Sequence, residues 1–487
     1  MAQSLKSKTA KGFAWNFGGT LLQQGSTFIV SIFLARILSP AEFGLVGMAM
    51  VFISISQVFI DVGFASALIQ RQDNTSLTYS SIFYLNIVLG LLLTAGFYFC
   101  APLIGAFYKN AQVTSLVRWL SLIFLFNSFD IVQMTILKKE LNFKTLTVRT
   151  FIATLIGGIA GVIAAFWGLG VYSIVIQKVL TAVLGTIFLW STTHWRPDLK
   201  FSYKEVKKLT GYSAFIFFDQ VYYQITMQLD ILVGGKVFSP KVLGYYTRAN
   251  SLRNLVTQYS SSSLSAVFFP VLSSLQDKEE EYRRVYFKVI SVIAFISYGL
   301  TGVMCILGRD IIITLFGAKW ESSIPIFQVL ILSAGNTPLN NMMNNAFYSK
   351  GKSKENFYIG VFRKSLRFLP LFMMYYSGMF AFTVALVAMN YVTIVCNVFF
   401  LQSFLGLSAK KHFQKIFEGL FPLAIVLTGF FYFHVATTWL RVIWAIGFVI
   451  IYIFFSKIMK TEGLEFLVNN IQPIRKKFMA LKLKFLP

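Results

Sequence analysis

The sequence predicts an all-α integral membrane protein with about fourteen transmembrane helices, and three observations lead to this fold class. Hydrophobic residues make up 56% of the 487 positions and charged residues only 13%, with a mean hydropathy of +0.66, so the chain lacks the polar surface of a soluble protein. Apolar runs of about 20 residues, the length that crosses a bilayer, recur along the chain. Short lysine- and arginine-rich clusters separate these runs in regular alternation.

The apolar runs follow one another with short connections. Their approximate bounds are 12–36, 42–69, 79–100, 114–137, 147–167, 170–193, 206–236, 241–270, 286–307, 322–348, 355–376, 379–405, 415–435 and 439–457. The run 322–348 predicts a span least clearly, because it contains several asparagines. The longest polar connections are short, which disfavours an enzyme with an active-site domain outside the membrane.

The distribution of charge predicts the orientation. There are 44 Lys and Arg against 19 Asp and Glu, which gives a net charge of +25. The basic residues cluster at every second connection and at both termini, so we expect both termini in the cytoplasm of a bacterial inner membrane and no nucleic-acid partner. The basic tail 475–485 predicts a helix on an anionic membrane surface, in contact with the lipid bilayer. Cysteines and histidines are scattered, so no metal site is expected.

Two short motifs recur and predict an internal repeat. Ser39-Pro40 with Gly44 returns as Ser239-Pro240 with Gly244, 200 residues later. Asn142-Phe143 with Arg149 returns as Asn356-Phe357 with Arg363, 214 residues later. The two halves would have the same orientation, as in parallel repeats that hold a substrate between two bundles. The predicted parts are a six-helix bundle over 1–197, a second over 198–408, two appended helices over 409–458 and a basic tail over 459–487.

Polar side chains inside the predicted spans are the candidate functional residues. Intramembrane charges are costly and usually have a partner or a task, and arginine matches phosphate oxygens with its planar fork of donors. The candidates for binding an anionic substrate are therefore Arg248, Arg253, Arg149, Arg363, Arg367 and Lys178, together with the amides Asn16, Gln23, Gln24 and Asn344. The interpretation left open is that some of these side chains only hold helices together or extend to the membrane surface.

Four acidic residues also fall inside the predicted spans. They are Asp61, Asp130, Asp219 and Asp230. Each could pair with a cation of the protein, or could bind a coupling proton or sodium ion during a transport cycle. The sequence leaves both interpretations open, and no other cofactor is expected.

Several segments together resemble the bacterial polysaccharide exporters of the Wzx type, in the multidrug, oligosaccharidyl-lipid and polysaccharide exporter superfamily. They are Leu34–Val46, Asp61–Phe64 followed by Ala67–Arg71, and Asp230–Gly235 followed by Leu243–Tyr246. The resemblance covers the whole chain, from the lysine-rich N-terminus to the last two helices. It implies two six-helix bundles around a cationic cavity.

The same resemblance implies a function. The substrate would be an undecaprenyl-diphosphate-linked oligosaccharide, flipped to the outer leaflet for synthesis of capsule, O-antigen or exopolysaccharide. A polysaccharide polymerase and chain-length machinery are candidate partners. The sequence departs from related lipid II flippases in its first helix, which has Asn16, Gln23 and Gln24 on the face where those proteins have arginines. The alternative is a cation-coupled multidrug exporter of the same superfamily, whose cavity would have to be acidic rather than basic.

Overall fold

Helices form at every predicted span in the computed structural model, which describes residues 2–71, 73–433, 435 and 437–469. The first half of the chain contains α1 (Ala2–Ile37), α2 (Pro40–Ser56), α3 (Val58–Asp61), α4 (Phe64–Gln70), α5 (Ser76–Tyr108), α6 (Ala111–Leu120), α7 (Leu122–Lys139), α8 (Phe143–Phe166), α9 (Tyr172–Thr192) and α10 (Tyr203–Val237). The predicted basic surface helix at 475–485 lies outside the described residues.

The second half begins with a long helix of serine- and asparagine-rich sequence. It contains α11 (Pro240–Ser274), α12 (Glu279–Ile306), α13 (Gly308–Phe316), α14 (Ser323–Ile331), α15 (Asn336–Ser349), α16 (Ser353–Ser365), α17 (Leu369–Leu405), α18 (Ala409–Tyr432) and α19 (Thr438–Ile458). Two 3-10 helices, Ala318–Trp320 and Leu366–Phe368, complete it. Among the described residues, ten helical stretches are long and apolar enough to cross a membrane. The chain is an all-α, multi-pass membrane protein.

Helix breaks divide several predicted spans, and one break falls between two of them. The second divides at Val62 and Gly63, which both have a left-handed backbone and end α3 before α4 begins. The run 322–348 divides between α14 and α15, where the asparagines begin. In α17 the backbone leaves helical geometry at Gly378, the position where the sequence predicts one span to end and the next to start.

Both copies of the serine–proline motif start a helix. Ser39 accepts a hydrogen bond from the Glu42 amide at 3.4 Å, and the Glu42 carboxylate accepts one from the Ser39 amide at 2.6 Å, which forms a capping box before α2. Ser239 accepts a bond from the Val242 amide at 3.5 Å before α11. The glycines of the two motifs face each other's prolines: a Cβ at Gly44 or Gly244 would lie 1.8 Å from the carbonyl oxygen of Pro240 or Pro40, respectively.

The helices divide into two compact units. The first consists of the described residues up to Thr247 with Leu315–Lys319, and the remaining described residues form the second. In the first unit, α4, α5, α7 and α10 share an apolar core that includes Phe64, Leu68, Phe83, Val132 and Leu209. Since lipid is as apolar as these side chains, close van der Waals packing stabilises this core more than transfer out of water does.

The second unit places buried tyrosines against polar partners. The hydroxyl of Tyr298 on α12 donates to Asn336 Oδ1 at 2.7 Å, and that of Tyr452 on α19 donates to the Phe295 carbonyl oxygen at 2.9 Å. A two-pronged ion pair joins α13 to α19, with Arg441 Nε and Nη2 at 2.6 and 2.8 Å from the two Asp310 oxygens. These bonds satisfy polar groups that would otherwise be unpaired in an apolar environment.

Candidate functional site

A polar cavity of about 410 Å³ lies inside the first unit. Helices α1, α2, α7, α8, α9 and α10 contribute to its wall. The polar side chains that line it are Gln23, Ser54, Gln57, Asn127, Arg149, Thr150, Thr154, Lys178, Thr181 and Gln224. Among the described lining residues there are amides, hydroxyls and two cations, but no carboxylate.

Close packing of α8 against α9 brings the two cationic helices to one cavity. A Cβ at Gly157 of α8 would lie 2.3 Å from Thr181 Oγ1 of α9, so glycine is required at this contact. The approach lets Thr150 and Thr154 of α8 face the same space as Lys178 and Thr181 of α9. Two of the predicted substrate-binding residues, Arg149 and Lys178, therefore share one cavity.

Lys178 is a cavity cation that the described residues leave without a partner. Its side chain is accessible to solvent-sized groups in the cavity. It makes no hydrogen bond or ion pair with any residue within the described ranges. An ammonium group inside a membrane span is costly unless its charge is compensated, and an anionic ligand in the cavity can compensate it.

Arg149, by contrast, is neutralised within the protein. Its Nη2 contacts Asp130 Oδ2 of α7, and its Nε donates to the Gly185 carbonyl oxygen of α9 at 3.2 Å. The two side chains are only 13% and 3% exposed, so the pair is buried. The sequence left open whether Asp130 pairs with a cation, and the structure shows this pair.

The first helix contributes one amide to the cavity. Gln23 lines it, whereas Gln24 is half-buried and is not among the lining residues. Asn16 lies in α1, but its side chain falls outside the described part of the structure.

The remaining cationic candidates belong to the second unit. Arg248 is 5% exposed, and its guanidinium lies over the Trp320 ring at 5.2 Å. Arg253 donates to Asn254 Oδ1 at 2.8 Å. Arg363 contacts Asn344 Oδ1, so the structure brings these two candidates together, and Arg367 is half-buried in the second 3-10 helix.

The other acidic candidates have different surroundings. Asp61 Oδ1 accepts a bond from the Ala65 amide at 2.8 Å, which caps the start of α4. Asp230 Oδ2 accepts a bond from the Tyr246 hydroxyl at 2.8 Å. Asp219 is exposed on α10. No group of three or more His, Cys, Asp or Glu side chains that could bind a metal occurs within the described residues.

Sequence reasoning missed part of the cavity wall. Gln57, Asn127 and Gln224 line it, and each is an amide in a predicted span. Intramembrane amides are a usable signal, because they need partners in an apolar environment. In the second unit Asn397 was missed as a partner of Arg363, at 2.7 Å.

Comparisons with known proteins identify relatives along most of the chain. The family described as "Polysaccharide biosynthesis protein" matches residues 33–325. The lipopolysaccharide biosynthesis protein WzxC of Escherichia coli (strain K12) is 27% identical over 370 residues, 75% of each chain. The succinoglycan biosynthesis transport protein ExoT of Rhizobium meliloti (strain 1021) is 24% identical over 330 residues, 67% of each chain.

A solved structure has the same fold. The lipid II flippase MurJ in an inward closed conformation superposes with a TM-score of 0.73, over 91% of this chain and 98% of that one, at 16% identity. At that identity the likeness concerns the fold alone.

Proposed function

We propose, since the chain belongs to the polysaccharide biosynthesis protein family, that it is a flippase for an undecaprenyl-diphosphate-linked oligosaccharide. The head group would move from the cytoplasmic to the outer leaflet of a bacterial inner membrane, for synthesis of a surface polysaccharide. Both termini would be cytoplasmic, as the basic clusters predict. Access to the substrate would alternate between the two sides, as is usual for transporters built from repeats.

The observation that carries the proposal is the chemistry of the cavity in the first unit. Amides and hydroxyls such as Gln57, Asn127 and Thr181 can both donate to and accept from sugar hydroxyls. Lys178 offers an uncompensated positive charge for a phosphate group. One cavity therefore supplies partners for both parts of a sugar diphosphate.

The same wall disfavours the multidrug exporter. A cavity that binds organic cations needs carboxylates or exposed aromatic faces to compensate the ligand's charge. Among the described lining residues the charged groups are Arg149 and Lys178, and both are positive. Asp130 is engaged by Arg149, which removes this carboxylate from competition for a cationic ligand.

A coupling ion is part of the proposal, with Asp130 as the candidate group. A proton or sodium ion on this carboxylate would weaken its attraction for Arg149, because only the ionised form makes a full ion pair. That change would alter the charge of the cavity during the cycle. Transport assays under imposed proton or sodium gradients distinguish the two ions from uncoupled movement.

Transport by the purified protein tests the proposal. Vesicles would carry a fluorescent undecaprenyl-diphosphate oligosaccharide in one leaflet, and a quencher on the other side would report its arrival. We expect faster movement than in protein-free vesicles and at least a tenfold lower rate for Lys178→Gln, because a charge-assisted bond to phosphate is lost.

Lys200→Gln is the matched control, since Lys200 is exposed in the connection before α10. Both variants lose one positive charge, but only one loses it from the cavity. Equal rates with and without protein would contradict the proposed function. Equal losses in the two variants would show that overall charge, rather than the cavity, matters.

A further inference from the structure

The ion pair between Arg149 and Asp130 has a counterpart in the second unit. The offset of 214 residues that relates Arg149 to Arg363 also relates Asp130 to Asn344. Arg149 Nη2 contacts Asp130 Oδ2, and Arg363 Nη1 contacts Asn344 Oδ1. The contact is thus repeated, but its acceptor has changed from a carboxylate to a neutral amide.

Only amide oxygens hold Arg363 in place. Its Nη1 also donates to Asn397 Oδ1 at 2.7 Å, and its Nη2 donates to Asn356 Oδ1 at 3.1 Å. Asn397 is itself fixed, since its Nδ2 donates to Asn340 Oδ1 at 2.6 Å. No acidic residue in the described ranges forms an ion pair with Arg363. The guanidinium is therefore oriented by its neighbours without being neutralised.

The free part of this guanidinium suits phosphate. A guanidinium has five N–H donors, and the three asparagines engage three of them. The donors that remain, Nε–H and one on Nη2, have no acceptor among the described residues. Two adjacent donors on a planar fork can bind two oxygens of one phosphate group.

The surroundings of Arg363 favour an anion that carries a lipid chain. Ile359 lies one turn earlier on the same face of α16 and lines an apolar groove of about 500 Å³ with Phe362, Phe400 and Phe404. Lys354 and Glu355 line the groove near the start of α16, at the predicted cytoplasmic side, and the Glu355 carboxylate is paired with Lys352 at 3.6 Å. A cationic group beside an apolar groove matches a phosphate joined to a long hydrocarbon chain.

We propose that Arg363 binds the diphosphate of the lipid-linked substrate, while Asp130 closes the corresponding position of the first repeat to anions. This inference rests on the proposed function and adds a diphosphate contact at Arg363 in the second unit to the phosphate contact proposed for Lys178 in the first. Arg363 lies roughly three helical turns from the start of α16, so the diphosphate would be bound near the leaflet where the lipid-linked sugar is made.

Asn344→Asp tests the proposal without removing Arg363. The new carboxylate has almost the shape of the amide and recreates the ion pair of the first repeat. We expect the affinity for undecaprenyl diphosphate to fall roughly ten- to hundredfold, because the charge of Arg363 is cancelled. The midpoint of thermal unfolding should stay unchanged or rise. If Arg363 has a purely structural role, Asn344→Asp leaves the affinity for undecaprenyl diphosphate unchanged, while the midpoint of thermal unfolding is likewise unchanged or raised.

Asn142→Asp is the matched control, because Asn142 corresponds to Asn356 in the repeat and caps α8. Its Oδ1 accepts a bond from the Thr145 amide at 3.3 Å, and aspartate caps helices equally well. This variant adds the same negative charge within the first unit. Arg363→Lys keeps the charge but loses the fork, and an intermediate affinity is expected.

Binding would be measured by titrating undecaprenyl diphosphate, and separately phosphatidylglycerol, into the full-length protein in nanodiscs of zwitterionic lipid. Support requires that Asn344→Asp weakens binding of the diphosphate and Asn142→Asp does not. Unchanged binding in Asn344→Asp overturns the proposal, and so does an equal loss for phosphatidylglycerol, which would make this a phospholipid site.

The vesicle assay separates this inference from the proposed function. If the wild-type protein moves the oligosaccharide and Asn344→Asp both binds and moves it normally, the inference fails and the function stands. If the wild-type protein moves nothing but Asn344→Asp loses diphosphate binding, the function fails and the anion site stands.

Discussion

Arg149 and Arg363 occupy corresponding positions in the two repeats, yet the first faces a carboxylate and the second faces three amides. Burial of a charge can be compensated inside the protein by an opposite charge, or only in part by oriented dipoles. The first arrangement favours stability of the helix bundle, whereas the second leaves a positive charge available to a ligand. The replacement of Asp130 by Asn344 is the difference that removes the opposite charge.

The largest expected difference between the two positions concerns stability after removal of each arginine. Arg149→Ala leaves the Asp130 carboxylate buried and unpaired, which costs about 3–5 kcal/mol. Arg363→Ala leaves only neutral amides, at a cost of about 1–3 kcal/mol. Thermal unfolding of the purified variants measures both costs. Equal losses would mean that Arg363 has a hidden anionic partner in the folded protein.

A second carboxylate–arginine pair extends the comparison within the second unit. Asp310→Ala removes the partner of Arg441, whose side chain is only 5% exposed, and we expect a loss of roughly 2 kcal/mol. The Arg441 guanidinium holds the pKa of Asp310 below its usual value near 3.9. The pair therefore contributes fully above about pH 4 and is lost as the pH falls through the lowered pKa.

Unfolding of the wild type and Asp310→Ala across the acid range measures this contribution. Their stabilities should converge as the pH falls below 4, because the wild type then loses the same ionised carboxylate. A constant gap between them at all pH values would show that lost packing, rather than lost charge, accounts for the effect.

A smaller loss of stability is expected when Asp130 of the first repeat is replaced by asparagine, the residue type of the corresponding Asn344 in the second repeat. Asp130→Asn keeps an acceptor for Arg149 but removes the charge, so the cost should be roughly 1 kcal/mol. The same variant should raise the affinity of the protein for undecaprenyl diphosphate, because the positive charge of Arg149 in the cavity would no longer be compensated. Nanodisc titration checks the affinity, and lower affinity than in the wild type would refute the comparison.

The smallest effect is expected at an exposed pair. Arg71 Nη2 lies 2.7 Å from Asp73 Oδ2, and the hydrogen bond from Arg71 lowers the pKa of Asp73 to about 2. Water screens this pair, so Asp73→Asn should leave the midpoint of thermal unfolding unchanged at neutral pH. A clear fall in this midpoint would indicate that the burial of an ion pair does not determine how strongly its loss destabilises the protein.

Most of the fold could be predicted from local sequence. A helix forms at every span predicted from hydropathy, and Gly378 marks the predicted boundary between 355–376 and 379–405. The interruptions within spans were harder to foresee. Val62 adopts a left-handed backbone that its β-branched side chain disfavours, and only neighbouring packing can impose such a conformation.

The candidate site could be predicted only in part. Arg149, Lys178 and Gln23 were identified as polar residues inside spans, and they meet in one cavity. Arg248 is also a polar residue inside a predicted span, but its guanidinium packs on the Trp320 ring. A helical sequence specifies which face a residue occupies, but the packing of other helices decides what that face meets.

The sequence by itself determined the class of protein, because hydrophobic length and the placement of charge act locally on each helix. It also contained the difference in charge between Asp130 and the corresponding Asn344. Only the tertiary structure decided that each of these residues meets an arginine nineteen positions away. Such contacts depend on how separate helices pack. The same packing decides that the charge of Arg149 is neutralised and that the charge of Arg363 is available to a ligand.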